Sequence, residues 1–250
     1  MLELKNQKVA VPIVLLAGLF WSLGPYVVRN IDSANTVPWQ YLFTRGVVIF
    51  MLLNLFLYFE EGHKFYRNYL KVGLSGILGG LGLAIAMISF IWSITNTSAA
   101  NTLLCLAAMP FITALLSFLF LKEKISLSVW LSIILAAVGI VIMSAGNKNS
   151  GSIIGLIFGL ASSLGFAIFS VSLRWRKQTP KFTTVSIAGF ICAVISGIVI
   201  LNQDLNFLSS IKNQALFATH GSLVCIGLIL YSIGSKHIAA AELTLLSLTE

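Results

Sequence analysis

The chain consists of long apolar runs separated by short polar or basic segments. A helix needs about 20 apolar residues to cross the roughly 30 Å hydrocarbon core of a bilayer. Eight runs reach this length, and a ninth begins near Ile238 and reaches Glu250. The eight runs are residues 9–28, 38–59, 72–95, 98–121, 125–145, 152–173, 182–201 and 215–235. The pattern predicts an all-α fold, a polytopic membrane bundle of helices.

The charges between these runs predict an orientation. If the N-terminus is cytoplasmic, the loops on that side contain twelve of the 16 Lys and Arg residues. Arg29, Lys148 and Lys212 then lie on the other side, and Arg45 lies within a span. Cytoplasmic loops carry the excess of Lys and Arg in membrane proteins. We therefore predict a multi-pass protein of the inner or plasma membrane with a cytoplasmic N-terminus.

The composition argues against several other classes of protein. Only 10% of the residues are charged and 58% are hydrophobic, whereas soluble domains are about a quarter charged. The net charge of +8 is spread over short loops, so nucleic acid is not an expected partner. Cys105, Cys192 and Cys225 lie in apolar runs without metal-ligand spacing, and no catalytic or nucleotide-binding motif is present. The sequence predicts a protein that is not an enzyme and has no metal or other cofactor.

Two segments recur along the chain at the same spacing. Residues 18–24 (GLFWSLG) resemble residues 159–165 (GLASSLG), and residues 99–104 (AANTLL) resemble residues 240–245 (AAELTL). Both pairs are 141 residues apart, which predicts a repeated unit of five spans. Because five is odd, the second unit, residues 152–250, is expected to be inverted relative to the first, residues 9–145. Such inverted repeats are common in secondary transporters.

The repeat also predicts ten helices, of which about eight and a half are present. Counterparts of residues 110–145 would be residues 251–286, beyond Glu250. We therefore expect the natural gene product to run about 35 residues longer. The alternative is a natural nine-span variant.

Several motifs resemble the EamA-type branch of the drug/metabolite transporter superfamily. They are GLFWSLG at 18–24, Arg45, TSAAN at 97–101 before Met109 and Pro110, LKEK at 121–124, and IAAAE at 238–242. Glu250 resembles the Glu of a family Glu-Pro pair. The resemblance implies ten helices, cytoplasmic termini and a central cavity between the halves. Met109 departs from the family pattern, which has Glu before this proline.

The architecture and the resemblance predict a secondary transporter that exports small metabolites or drug-like compounds by alternating access. The expected partners are a small-molecule substrate and the lipid bilayer, and a homodimer is left open. One alternative is a nucleotide-sugar or phosphate-ester antiporter, which would need several cavity cations where only Arg45 qualifies. Another is a membrane scaffold without transport, which would have a dry apolar seam between its halves.

Three polar residues within the spans are candidates for substrate binding. Arg45 is expected to contact an anion in the cavity or, alternatively, to extend to the outer membrane face. Glu242 is expected to contact an ammonium group or a coupling proton, or else to pair with Lys236 or His237. Asn101, its counterpart in the repeat, is expected to line the cavity or to form an interhelical hydrogen bond.

Trp21, Tyr26 and Trp92 are candidate cavity aromatics, for which helix packing is the alternative. Ser163, in the second copy of the repeated segment, completes the predicted substrate-binding set. Pro25 and Pro110 are expected to kink their helices. His220 is expected about one turn from the outer interface, as a hydrogen-bonded polar residue or, alternatively, a proton relay.

Overall fold

The computed structural model describes residues 7–123, 127, 130–131, 134–135, 138, 152–176 and 179–248. Every regular element within these residues is a helix. The elements are α1 (Gln7–Ser22), α2 (Gly24–Arg29), α3 (Pro38–Glu61), a 3-10 helix (Gly62–Tyr66), α4 (Arg67–Lys71), α5 (Gly73–Asn96), α6 (Ala99–Leu106), α7 (Met109–Leu121), α8 (Ile153–Trp175), α9 (Lys181–Asn202), α10 (Ile211–Gly234) and α11 (Ala240–Ser247).

Seven described segments are long and apolar enough to cross a membrane, and they correspond to seven of the eight predicted spans. The predicted span 125–145 lies largely outside the described residues. One boundary differs clearly, because α10 begins at Ile211 rather than at residue 215. Ser210 is the reason: its hydroxyl accepts a hydrogen bond from the Asn213 N–H at 3.2 Å, which caps the helix start.

The two prolines within spans interrupt their helices. The first span divides at Leu23 into α1 and α2, and Pro25 lies in the first turn of α2. The fourth span divides at residues 107–108 into α6 and α7, and Pro110 lies in the first turn of α7. Proline lacks the N–H that would continue the ladder and clashes with the preceding turn. The predicted kinks are therefore confirmed, in the form of short breaks.

The bundle is formed mainly by contacts between residues 7–121 and residues 153–248. α3 packs on α9, α5 on α8, α1 on α10, and α7 on α11. Glycines permit the closest approaches: a Cβ at Gly165 would lie 2.5 Å from the carbonyl oxygen of Gly82, and one at Gly46 would lie 2.8 Å from that of Gly189. Small residues allow helix backbones to approach in membranes, where packing rather than water exclusion drives association.

Side chains are distributed as a lipid environment requires. Large apolar residues are exposed on the outer surface of the bundle, including Leu19, Leu55, Ile157 and Ile198. Hydroxyl residues such as Ser163, Thr183, Ser196 and Ser232 are buried. A soluble domain rarely exposes apolar surface on this scale. The fold is a polytopic helical membrane bundle, as the sequence predicts.

The connections define two ends of the bundle. At one, called here the Arg174 end, Arg174 is joined to Glu123 and to the chain between α10 and α11. At the other, the Asp32 end, the loop after α2 is joined to the start of α10 through Lys212 and Asn213. These names do not depend on which end faces the cytoplasm.

Candidate functional site

A cavity of about 80 Å³ lies between six of the spanning segments. Arg45, Ser162 and His220 contribute its polar side chains, and the rest of the lining is largely apolar. The other lining residues are Trp21, Leu83, Ala86, Met87, Phe90, Leu106, Met109, Phe166, Val224 and Leu228. Ligand pockets usually enclose about 300–1,000 Å³, so this conformation is contracted relative to one that holds a drug-sized compound.

The cavity lies within the depth of the bundle, on the side of the Asp32 end. Arg45 is seven residues from the start of α3 and His220 is nine residues from the start of α10. At 1.5 Å per helical residue, these positions are about 10–14 Å from the Asp32 end. A charge at this depth, in a largely apolar lining, interacts more strongly with a partner than it would in water.

Arg45 is a buried cation that has no counter-ion in the described part of the chain. Its side chain is 5% exposed, and its Nε and Nη1 atoms are buried without a hydrogen-bond partner. Among the described residues, no carboxylate forms an ion pair with it. The alternative that Arg45 extends to the membrane face is wrong, because its side chain does not reach the surface. A charge at the centre of a spanning helix costs at least about 2.5 kcal/mol on insertion scales, and no ion pair among the described residues compensates the charge of Arg45.

His220 is fixed on two sides. Its Nδ1 is hydrogen-bonded to the Tyr41 hydroxyl, and the Tyr41 ring stacks on Phe217 at 4.9 Å. A Cβ at Gly24 would lie 2.7 Å from the His220 Nε2, so the imidazole fits because residue 24 is glycine. The sequence places His220 one turn from the interface, which is wrong because α10 begins earlier, at Ile211.

Trp21 is one of the aromatic residues that line the cavity. Its indole N–H donates to the Val224 carbonyl at 3.4 Å, and its ring lies edge-on to Phe166 at 5.6 Å. A Cβ at Gly227 would lie 2.2 Å from the Trp21 Nε1, so this glycine makes room for the indole. Trp21, Phe90 and Phe166 are called here the aromatic wall.

Both helix breaks adjoin the cavity. Trp21 lies two residues before the break at Leu23, while Leu106 and Met109 flank the break between α6 and α7. Irregular backbone at membrane depth is tolerated where it is covered by protein or lines a cavity. The breaks at Pro25 and Pro110 therefore lie next to residues that line the cavity.

The family is shown by sequence. The model of the EamA-like transporter family matches residues 8–145, which is more than half of the 250 residues. The chain belongs to the EamA-like transporter family. This membership confirms the resemblance inferred from the motifs and fits the drug/metabolite transporter superfamily.

Individual relatives agree with the EamA-like assignment. Two proteins named uncharacterized transporter, from Helicobacter pylori strains J99 / ATCC 700824 and ATCC 700392 / 26695, are each 27% identical over 203 residues. These alignments cover 80% of this chain and 66% of each relative, just under two thirds of their length. A solved crystal structure, 17% identical, superposes with a TM-score of 0.75 over 96% of this chain and 84% of the other. At that identity it shows the shared fold alone.

Membership of the EamA-like transporter family and the spanning helices together show that this is a multi-pass membrane protein. Among the described residues, no group of three or more His, Cys, Asp or Glu side chains is placed to hold a metal ion. The lining of the cavity contains one cation, one imidazole and the aromatic wall.

Of the seven predicted site residues, Trp21 and Arg45 line the cavity of this EamA-like protein and five do not. Tyr26 lies in α2 and is 71% exposed. Trp92 packs against Trp39 and Phe158, at ring distances of 5.4 and 5.9 Å. In this conformation these two aromatics belong to the surface and to helix packing.

The three remaining predicted residues have local roles. Asn101 bonds within its own segment, donating from Nδ2 to the Thr97 hydroxyl at 3.1 Å. Ser163 donates to the Cys105 carbonyl at 2.7 Å, next to Ser162 of the lining. Glu242 lies in the first turn of α11, where the helix dipole favours a carboxylate.

Sequence reasoning missed most of the lining of this EamA-like site. Met87, Phe90 and Phe166 are apolar residues within apolar spans, so no local signal separates them from lipid-facing neighbours. Met109 was noted only as a departure from the family pattern, and the structure places it in the cavity. Ser162 is indistinguishable in sequence from Ser163 beside it.

Proposed function

We propose that the chain works as a secondary transporter that exports small metabolites or drug-like compounds by alternating access. The cavity carries this proposal. It is enclosed by segments on both sides of residues 124–151 and contains a cation that no described carboxylate neutralises. A scaffold without transport would have a dry apolar seam there, and burying Arg45 in such a seam would cost free energy without a compensating role.

The packing supports two inverted repeats. The segment Val9–Arg29 then corresponds to α8, α3 to α9, α5 to α10, and Ala99–Leu121 to α11. Under this correspondence the α1–α10 contact is the counterpart of the α5–α8 contact, and the α3–α9 contact maps onto itself. Two halves with exchangeable contacts supply the physical basis for a cavity that opens at alternate ends. We place the N-terminus in the cytoplasm of the inner or plasma membrane, from the distribution of Lys and Arg.

A transport assay tests the function directly. Purified protein in liposomes is loaded with tracers: a monocarboxylate, an amino acid, a nucleotide sugar and a cationic dye. We expect at least one tracer to leave faster than from protein-free liposomes, with or without an imposed proton gradient. Transport of the nucleotide sugar alone would favour the antiporter alternative, and release of none above background would contradict the proposal.

Alternating access makes a separate prediction about labelling. Met87 lines the cavity, whereas Ile91, one turn further along α5, is fully buried. The measurement uses right-side-out and inside-out membrane vesicles with an impermeant maleimide. The reagent should modify the Met87→Cys variant in both preparations and the Ile91→Cys control in neither. The native cysteines are buried, so background labelling should be low. Labelling of Met87→Cys from one side alone would argue against alternation.

A further inference from the structure

The lining of the cavity has an unbalanced charge. Arg45 contributes a guanidinium group to the lining. Its Nε carries one N–H and its Nη1 two, so three of its five donors lack a partner. Because these donors are buried, Arg45 differs from a surface cation, whose N–H groups form hydrogen bonds with water. An unpaired buried cation of this kind indicates that its partner is a ligand.

The charge of that ligand follows from the rest of the lining. A cationic compound would add a second positive charge beside Arg45 and would find no carboxylate among the described residues that line the cavity. The ammonium group of a zwitterion would likewise be a second positive charge without a carboxylate partner. A dianion would leave one negative charge unpaired beside a largely apolar lining. A single negative charge neutralises Arg45.

The shape of the ligand follows from the other lining residues. The aromatic wall and Met87 contribute apolar surface to the same cavity as the Arg45 side chain. Guanidinium binds carboxylates through paired N–H donors in one plane. The volume of about 80 Å³ is well below the roughly 150 Å³ of an engineered cavity that binds benzene. Only a few non-hydrogen atoms fit in this conformation.

We propose that the cavity binds a small monocarboxylate, with Arg45 holding the carboxylate and the aromatic wall contacting its apolar body. This names a substrate class and rests on the proposed transport function, but binding can be measured without transport. Ser162 and His220 are the additional polar groups within the same lining.

The test measures ligand-induced stabilisation of the purified full chain. Pyruvate is the probe, because its neutral form is scarce at pH 7; succinate, alanine and butylammonium are the dianionic, zwitterionic and cationic comparisons. At a hundredfold excess over its dissociation constant, pyruvate should raise the unfolding midpoint by roughly 5 °C. The other three compounds should produce smaller shifts at equal concentration.

The key variant is Arg45→Met, which keeps an extended side chain and removes the charge. Without ligand it should unfold at the same temperature as the native chain or higher, because an unpaired buried charge has been replaced by an apolar group. Its affinity for pyruvate should fall by about 30-fold or more. The control Arg29→Met removes an exposed cation of α2, and its pyruvate response should match that of the native chain.

Each outcome decides between the claims. An equal pyruvate shift in Arg45→Met, or a larger shift with butylammonium or alanine than with pyruvate, overturns the monocarboxylate proposal. A lower unfolding midpoint of Arg45→Met without ligand also overturns it, since the charge would then stabilise the fold itself. Arg45-dependent pyruvate binding without flux of any tracer would refute transport and leave the site intact. Flux of the amino acid or the dye alone would support transport and refute the monocarboxylate site.

Discussion

Replacement of Arg174 by glutamine is expected to lower stability and to open the Arg174 end of the bundle. The Arg174 Nε donates to the Glu123 carboxylate at 2.7 Å, and Nη1 donates to the Ser235 and Ile238 carbonyls at 3.1 and 2.5 Å. Glu123 also accepts a bond from the Ala240 N–H at 3.4 Å. This network, the Arg174 clasp, ties the ends of three spanning segments to α11.

The magnitude follows from partial burial. The two side chains are 25% and 22% exposed, so removing one charge should cost about 2–3 kcal/mol after allowance for solvent screening. In the conformation described here the Arg174 clasp holds the Arg174 end closed. If the substitution destabilises this closed conformation by about 2 kcal/mol and leaves a conformation open at that end unchanged, the ratio of open to closed molecules rises about 30-fold. The measurement is the labelling rate of Met87→Cys from the Arg174 end, together with the thermal midpoint in detergent.

The opposite end of the bundle provides a matched control. Lys212 and Asp32 are also 2.7 Å apart, but they are 58% and 63% exposed. Lys212→Gln should therefore change stability by at most about 1 kcal/mol. The double variant Glu123→Gln, Arg174→Gln should lose less than the sum of its single variants, because the two residues interact directly. If Arg174→Gln and Lys212→Gln lowered the stability by the same amount, the Arg174 clasp would be ruled out.

Gly165→Ala is expected to destabilise the contact between α5 and α8. A Cβ at this position would lie 2.5 Å from the Gly82 carbonyl oxygen and 2.8 Å from the Ala86 nitrogen. Both are backbone atoms, so the two helices must separate. Overpacking of this kind costs about 1–3 kcal/mol, or a decrease of several degrees in the thermal midpoint for a chain of this size.

Gly197→Ala separates this steric effect from the general effect of adding a methyl group. Gly197 also lies in a spanning helix, but a Cβ there would meet Phe43 at an ordinary 3.4 Å. Alanine is the better helix former by about 1 kcal/mol, so Gly197→Ala should leave the midpoint unchanged or raise it. If Gly165→Ala were as stable as Gly197→Ala, the close approach of α5 and α8 would be disproved.

Arg45 and Trp21 are the two cavity residues that could be predicted from the sequence. Arg45 was identifiable because a charge within an apolar span is costly wherever it lies, and Trp21 because it is a tryptophan far from either interface. Tyr26 satisfied similar local criteria, yet it is exposed in α2. The difference lies in α2, which begins after the break at Leu23: Gly24 lies against His220, whereas Tyr26 is on the exposed side of this short helix. Pro25 predicts the break and not the direction of the chain after it.

Other features had no local signal at all. His220 lines the cavity because Gly24, nearly 200 positions earlier in the chain, leaves space for its ring. Glu123 and Arg174 occur in two basic loop motifs that look like topology signals. They become a clasp because α7 and α8 end side by side. Pairings of this kind depend on which helices are neighbours, and loop charge does not specify neighbours.

The sequence by itself determined the membrane environment, the helical fold class, most of the span boundaries, the two proline breaks and the family. Each follows from interactions that a segment has with its surroundings alone: apolar length against bilayer thickness, and a missing N–H against the helix ladder. Only the tertiary structure decided which face of each helix points inward. In a bilayer the lipid-facing and protein-facing sides of a helix are both apolar, so hydrophobic periodicity does not orient it. The convergence of Trp21, Arg45 and His220 on one cavity is therefore a result of glycine-mediated helix packing.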